Sequence, residues 1–188
     1  MKAILFIFLI TCNFLHAQKF KVDPGLSLHS GFGQLNRYNE TLPVHTIFGG
    51  FIVFPRYTFK EHNNTSFSIG IPFSIGLGES EFSSSNKPLA FDIPLVIDYN
   101  FGKGATQDND SKKGGFVGAG FNYTLAKITA TSYTTPPWDE SDFNYLNSYG
   151  MLLHGGIRFR FFQIRLSYSK SFSEGKFNFF SGGLLTSL

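Results

Sequence analysis

Along residues 67–78 apolar and small positions alternate strictly. Phe67, Ile69, Ile71, Phe73, Ile75 and Leu77 fall on one face, and Ser68, Gly70, Pro72, Ser74, Gly76 and Gly78 on the other. A period of two is that of a β-strand. A strand of a soluble sheet usually turns charged side chains to water, whereas the second face here carries no charge. The apolar ridge therefore reads as the outside, and the small face as the inside, of a transmembrane barrel.

Segments of the same kind are predicted at 25–36, 45–59, 67–78, 89–101, 115–127, 148–160, 163–172 and 177–187, separated by polar or Gly-, Asn- and Asp-rich connections. Eight is the smallest usual strand number for an outer-membrane barrel. A strand of about 11 residues at about 3.3 Å each, tilted near 40°, rises roughly 27 Å, close to the apolar band of such barrels. The predicted fold class is all-β, an eight-stranded antiparallel up-and-down transmembrane β-barrel.

The fourth segment fixes which face is inside. Leu89, Phe91, Ile93, Leu95, Ile97, Tyr99 and Phe101 alternate with Ala90, Asp92, Pro94, Val96, Asp98 and Asn100. Carboxylates aimed at lipid are costly, so Asp92 and Asp98 are assigned to the lumen. His154, Gly156, Arg158 and Arg160 share a face opposite Leu153, Ile157 and Phe159; Arg165 and Arg56 take the same inward role in their strands. The interior of an eight-stranded barrel is just filled by side chains. An internal ion-pair network is therefore expected, Asp92 and Asp98 with Arg56, Arg158, Arg160 and Arg165, which neutralises buried charge. A barrel core and a proton or anion relay are both readings of it.

Pro55, Pro72 and Pro94 fall within predicted strands, where proline removes a ladder hydrogen bond, so local bulges are expected there. The register around 45–59 is weakly specified because both faces are apolar. Alternation from a periplasmic amino terminus puts the connection 102–114 on the periplasmic side, and 37–44, 79–88, 128–147 and 173–176 outside. The longest outer loop carries Tyr133, Pro136, Pro137, Trp138, Asp139, Glu140 and Asp142. Tyr133, Trp138, Asp139 and Glu140 are candidate contacts for a partner, since exposed loops on a rigid scaffold carry function; Tyr and Trp are equally ordinary interface anchors.

Composition agrees with export and a membrane. Lys2 precedes a short apolar run that closes at Leu15-His16-Ala17, the layout of a signal peptide over 1–17, with the barrel domain at 18–188. The run is too short for a spanning helix, which needs roughly 20 residues. The alternative is a lipoprotein signal at Leu9-Ile10-Thr11-Cys12, for which Thr11 is a poor residue before the modified cysteine. Cleavage after Ala17 leaves a chain without cysteine, hence without disulfides or thiolate metal sites. Charged residues make up 15% of the chain, against roughly 25% in ordinary soluble proteins, and aromatics 18%, led by 24 Phe. Lys and Arg number 16 against 13 Asp and Glu, without clustering, which argues against a nucleic-acid surface.

The run Asp92-Ile93-Pro94-Leu95-Val96-Ile97-Asp98-Tyr99-Asn100-Phe101-Gly102, then Gly115-Phe116-Val117-Gly118-Ala119-Gly120-Phe121-Asn122-Tyr123, resembles the small outer-membrane β-barrel family common in Bacteroidetes, with its PorT-like and OmpX-like eight-stranded members. Gly155-Gly156-Ile157-Arg158-Phe159 and Ile164-Arg165-Leu166-Ser167-Tyr168-Ser169 resemble that family's sixth and seventh strands. The resemblance implies an outer-membrane location and, for some relatives, a part in secretion or gliding machinery. The chain departs from the family at Leu188, where a terminal aromatic that helps assembly often stands. The partners so implied are outer-membrane lipid and lipopolysaccharide, the barrel-assembly machinery and an unidentified protein.

No chemistry-bearing motif stands out. His29, His45, His62 and His154 lack metal-ligand spacing, so neither a metal nor a cofactor is expected. Gly31-Phe32-Gly33 and Gly118-Ala119-Gly120 lack the strand-to-helix context of a phosphate loop. A lipid A acyltransferase or deacylase would need a Ser and a His in hydrogen-bond reach with an acid to orient the His. His29 and Ser30, as neighbours in a strand, point to opposite faces, so such a pair must come from different strands. A soluble ligand-binding barrel would need a polar exterior. The expectation is a structural or interaction scaffold, not an enzyme.

Overall fold

The computed structural model describes residues 20–37, 40–80, 89–106, 111–128, 144–173 and 177–186. The predicted signal peptide and the loop residues Tyr133, Trp138, Asp139 and Glu140 lie outside them.

Ten antiparallel segments form one closed sheet: β1 (Phe20–Arg37), β2 (Glu40–His62), β3 (Thr65–Gly70), β4 (Phe73–Ser80), β5 (Leu89–Asp92), β6 (Leu95–Gly102), β7 (Gly114–Ile128), β8 (Asn144–Arg158), β9 (Phe162–Ser171) and β10 (Asn178–Thr186). β3 with β4, and β5 with β6, are each one crossing broken in the middle, so the wall has eight crossings. Closure comes from β1, which pairs with β2 on one side and β10 on the other. Closing the ring leaves no unpaired edge, as a wall in hydrocarbon requires.

The two breaks fall at Ile71-Pro72 and Ile93-Pro94, where bulges were expected. The registers on either side, Gly70 with Val96 and Ser74 with Asp92, place Pro72 opposite Pro94. Ile71 N–H donates outward to Pro55 O of β2 at 3.0 Å, and Ile93 N–H to Tyr123 O of β7 at 2.8 Å. The next N–H on each strand would point to the other, and both are missing because both residues are proline. Two prolines thus share one absent rung, while Ile71 O, which faces the N–H-less Pro55, accepts from Phe73 N–H at 2.9 Å. Pro55 itself stays within β2. The irregularity in that strand is a register shift between Thr58 and Lys60, leaving Phe59 and Lys60 both exposed.

Strands β1 and β2 run beyond the predicted segments at both ends. Hydrophobic alternation marks only the apolar band, whereas pairing continues through Lys21 with Arg56 and Glu61 with Ser66. One rim is closed by the Asn63-Asn64 turn, with Asn63 at φ 50, by the connection after Gly102, and by the turn at Phe159–Phe161. Asn tolerates the left-handed region there. Gly102 (φ 67) and Gly104 (φ 75) make the tight start of the 102–114 connection, which ties back through Lys103 N to Lys113 O and Thr106 Oγ1 to Asn63 O.

Alternation of burial follows the predicted faces. Ser68, Gly70, Pro72, Ser74, Gly76 and Gly78 are buried, while Phe67, Ile69, Ile71, Ile75 and Leu77 are exposed. In β2, Thr46, Phe48, Ile52, Phe54, Arg56 and Thr58 point inward, which settles the register left open there. Both faces of β2 are apolar because the lumen itself needs bulk. Phe48, Phe177 and Phe179 pack with Ala90 and Ala126 toward the long-loop rim, and Ile52, Phe54, Val96, Leu152 and Leu185 fill the middle. Outside, Phe51, Phe121, Leu153 and Leu166 are each more than 60% exposed.

Candidate functional site

The lumen holds all the buried charge among the described residues, in three groups along the barrel axis. At the short-turn rim Arg56 Nε lies 3.0 Å from Asp23 Oδ2, both fully enclosed. Beside them Arg158 donates from Nη2 to Asn100 Oδ1 at 2.7 Å and from Nε to Gln163 Oε1 at 3.0 Å, and its guanidinium lies 4.8 Å from the Phe116 ring centroid. Asn100 in turn donates to Ser68 Oγ at 2.9 Å.

At mid-barrel His154 Nε2 stands 2.8 Å from Asp98 Oδ1. Arg165 Nη2 lies 3.4 Å from the same nitrogen, within hydrogen-bond reach, so His154 stands between a carboxylate and a guanidinium and its tautomer decides which of them it bonds. Arg165 also stacks its guanidinium over Phe54 at 4.5 Å and Phe116 at 5.5 Å. The Asp98–His154 contact spans an entire strand. Asp98 on β6 and His154 on β8 are both register partners of Gly118 on β7. A Cβ at Gly118 would collide with Asp98 Oδ1, His154 Nε2 and Ile97 O. Gly118 is thus the gap through which two strands once removed exchange a charge. Gly118→Ala is expected to lower the unfolding midpoint by the equivalent of about 1–3 kcal/mol, as overpacking does, because the Ile97 carbonyl is backbone and cannot swing away; urea titration of the folded species reads it.

Toward the long-loop rim, Asp92 Oδ1 accepts from Thr124 Oγ1 at 2.6 Å, and Asp92 Oδ2 lies 4.0 Å from His29 Nδ1. Asn122 Nδ2 donates to Thr124 Oγ1 at 3.1 Å and Ser169 Oγ at 3.2 Å. His29 is stacked flat on Phe48, centroids 4.3 Å apart.

The inward side chains predicted from sequence are thus brought into one lumen, with altered partnerships. Asp92 and Asp98 meet histidines, not arginines, and Arg56 meets Asp23. Arg158 and Arg165 are held by amides and aromatic rings. Arg160 stands apart: β8 ends at Arg158, the strand alternation ends with it, and Arg160 lies exposed in the turn, 5.2 Å from the Phe161 ring. Asp23 was missed because it precedes the predicted start of the first strand. Extending the inward phase of Ser27 and His29 back by two steps reaches it.

Among the described residues no group of three or more His, Cys, Asp or Glu could hold a metal ion. The Asp92–His29 pair faces inward, and His29 Nε2 has no hydrogen-bond partner, so no serine completes a relay with it. A serine and a histidine from different strands do meet, on the outer wall: Ser30 Oγ lies 3.2 Å from His45 Nε2.

A closed antiparallel ring, polar within and apolar without, defines a transmembrane β-barrel. No protein-family model matches the chain, and no curated protein matches its sequence. Among solved structures it is similar to Ail, the attachment invasion locus protein of Yersinia pestis, at 13% identity over 88% of this chain and 97% of that one, TM-score 0.45. It is also similar to Neisserial surface protein A, at 12% identity over 91% and 98%, TM-score 0.47. The outer membrane protein OprG from Pseudomonas aeruginosa aligns at 10% identity over 89% and 91%, TM-score 0.48.

Proposed function

We propose that this protein is an integral barrel of the bacterial outer membrane, exported by residues 1–17, with a side-chain-filled lumen. It serves as a scaffold for surface or secretion machinery and not as a catalyst or a general pore. The observation that carries this reading is the inversion of the barrel. The outer wall is apolar, while among the described residues the inside holds three carboxylates, Asp23, Asp92 and Asp98, against three guanidinium groups, Arg56, Arg158 and Arg165, all buried. An interior with balanced charge and packed with Phe48, Phe54, Phe116 and Phe179 favours a filled lumen over an open pore.

Two aromatic belts support the membrane reading. Phe59, Phe67, Tyr99 and Phe101 run together near one rim, with centroids 5.2–6.4 Å apart between neighbours. Phe32, Phe180 and Tyr168 do so toward the other, at 4.9 and 5.8 Å. Such girdles sit at the two bilayer interfaces. Lipid and lipopolysaccharide would then surround the wall, the barrel-assembly machinery would insert it, and a protein partner would meet the outer loops, where Tyr133, Trp138, Asp139 and Glu140 are the proposed contacts. The resemblance to the Bacteroidetes family favours secretion or gliding machinery as that partner.

The test is electrophoretic migration of the detergent-extracted membrane fraction, boiled and unboiled. A heat-dependent shift confined to that fraction is expected. A detergent-free soluble form in the periplasm or medium would overturn the reading in favour of a secreted ligand-binding barrel.

A further inference from the structure

One level of the outer wall is built differently from the rest. Following register across six strands, the outward positions read Gly49 on β2, Leu28 on β1, Gly182 on β10, Leu166 on β9, Gly155 on β8 and Val117 on β7. Three glycines thus alternate with three branched side chains. On the opposite wall, β3 to β6, no outward position is glycine. A groove of about 640 Å³ lies at this level, walled by Leu28, Leu153, Leu166, Tyr168 and Phe180, with Gly182 in its floor and His154, Ser167 and Ser181 of the inner face at its base. Its volume lies within the range of small-molecule sites, roughly 300–1,000 Å³.

Ser30 lines the groove one step nearer the long-loop rim, level with Phe180 and Tyr168. Its hydroxyl is hydrogen-bonded to the His45 ring at 3.2 Å. The groove therefore passes from an apolar trough to a polar pair at the depth of the aromatic belt. In a bilayer that depth is where hydrocarbon meets the ester and headgroup region.

We propose that this groove is a binding site for one acyl chain of a membrane lipid, whose ester carbonyl accepts a hydrogen bond from Ser30. The inference rests on the membrane reading above, because the groove is continuous with the wall that hydrocarbon covers. In the tautomer that carries its proton on Nε2, His45 donates to Ser30 Oγ and leaves the hydroxyl proton for the carbonyl. A chain lying over Gly182 gains contact on three sides instead of one.

The experiment uses the full chain in phosphatidylcholine nanodiscs containing a phospholipid with a photoreactive diazirine in its acyl chain, with adducts mapped by mass spectrometry. Adducts at Leu28, Leu166 and Tyr168 are expected in several-fold excess over Ile71 and Ile97 of the opposite wall. Ser30→Ala should reduce that excess roughly fivefold, the equivalent of one hydrogen bond of about 1 kcal/mol. Gly182→Leu should abolish it. A Cβ at Gly182 meets nothing nearer than Leu166 Cδ2 at 3.7 Å, so that variant fills the groove without straining the strand. Even labelling around the wall, or labelling that Gly182→Leu leaves unchanged, would overturn the site while the heat-dependent shift of the same samples still upheld the membrane barrel. A chain that stays out of the nanodisc would overturn the membrane reading and the groove with it.

Discussion

Ile71→Arg is expected to leave almost no folded protein in the membrane fraction, while Ser74→Ala accumulates like the parent. Both positions lie in the crossing that runs from Thr65 to Ser80, three residues apart and on opposite faces. Ile71 is 43% exposed on the outer wall near the middle of the crossing. An Arg at the bilayer midplane of a barrel costs about 2–4 kcal/mol. The Ile71 backbone N–H and its bond to Pro55 are unaffected by the change, so the loss comes from the side chain alone. Ser74 is buried, and its hydroxyl has no hydrogen-bond partner. Removing it strips a buried polar atom that nothing satisfies, a change that is neutral or mildly stabilising. The measurement is the ratio of heat-shifted protein in outer-membrane fractions at matched expression. Equal yields of the two variants would mean that the inside and outside of the wall have been exchanged.

The second large effect is at Asp98. Asp98→Ala is expected to lower the stability of the inserted barrel by about 3–5 kcal/mol, the usual result of removing one member of an enclosed ion pair. The damage falls on what remains. His154 loses the carboxylate 2.8 Å from its Nε2, and Arg165 loses its carboxylate neighbourhood while still stacked between Phe54 and Phe116. Replacing His154 as well should recover part of the loss, because no imidazole is then left beside a missing carboxylate, while the buried Arg165 still lacks one. Urea titration of the folded band for the two single variants and Asp98→Ala/His154→Leu makes the comparison. If the double variant is as unstable as the sum of the singles, the two side chains are independent and the contact through the Gly118 gap does not matter.

The faces of the wall were legible because two independent signals agree on them. The period of two names a strand, and the cost of Asp92 or Asp98 in lipid names its inner side. Ring closure and the number of crossings followed from the same count. Partner choice inside the lumen was not legible, since it depends on register between strands far apart in sequence. Asp98 and His154 meet because both align with one glycine of β7, and Ser30 meets His45 across the β1–β2 pair. A sequence read one strand at a time contains neither fact. The end of a strand is equally hidden: Arg160 continues the alternation of His154 and Arg158 on paper, but the wall has already turned.

The absent rung between Pro72 and Pro94 has a consequence for how the sequence can change. The two positions are linked as alternatives and not as separate defects. A chain that exchanged one proline for an ordinary residue would aim a new N–H at the carbonyl of the other, recovering a bond without any change in its partner. The second exchange would then complete a continuous ladder across both crossings. The worth of either substitution therefore depends on the residue opposite, which makes Pro72 and Pro94 a pair expected to vary together.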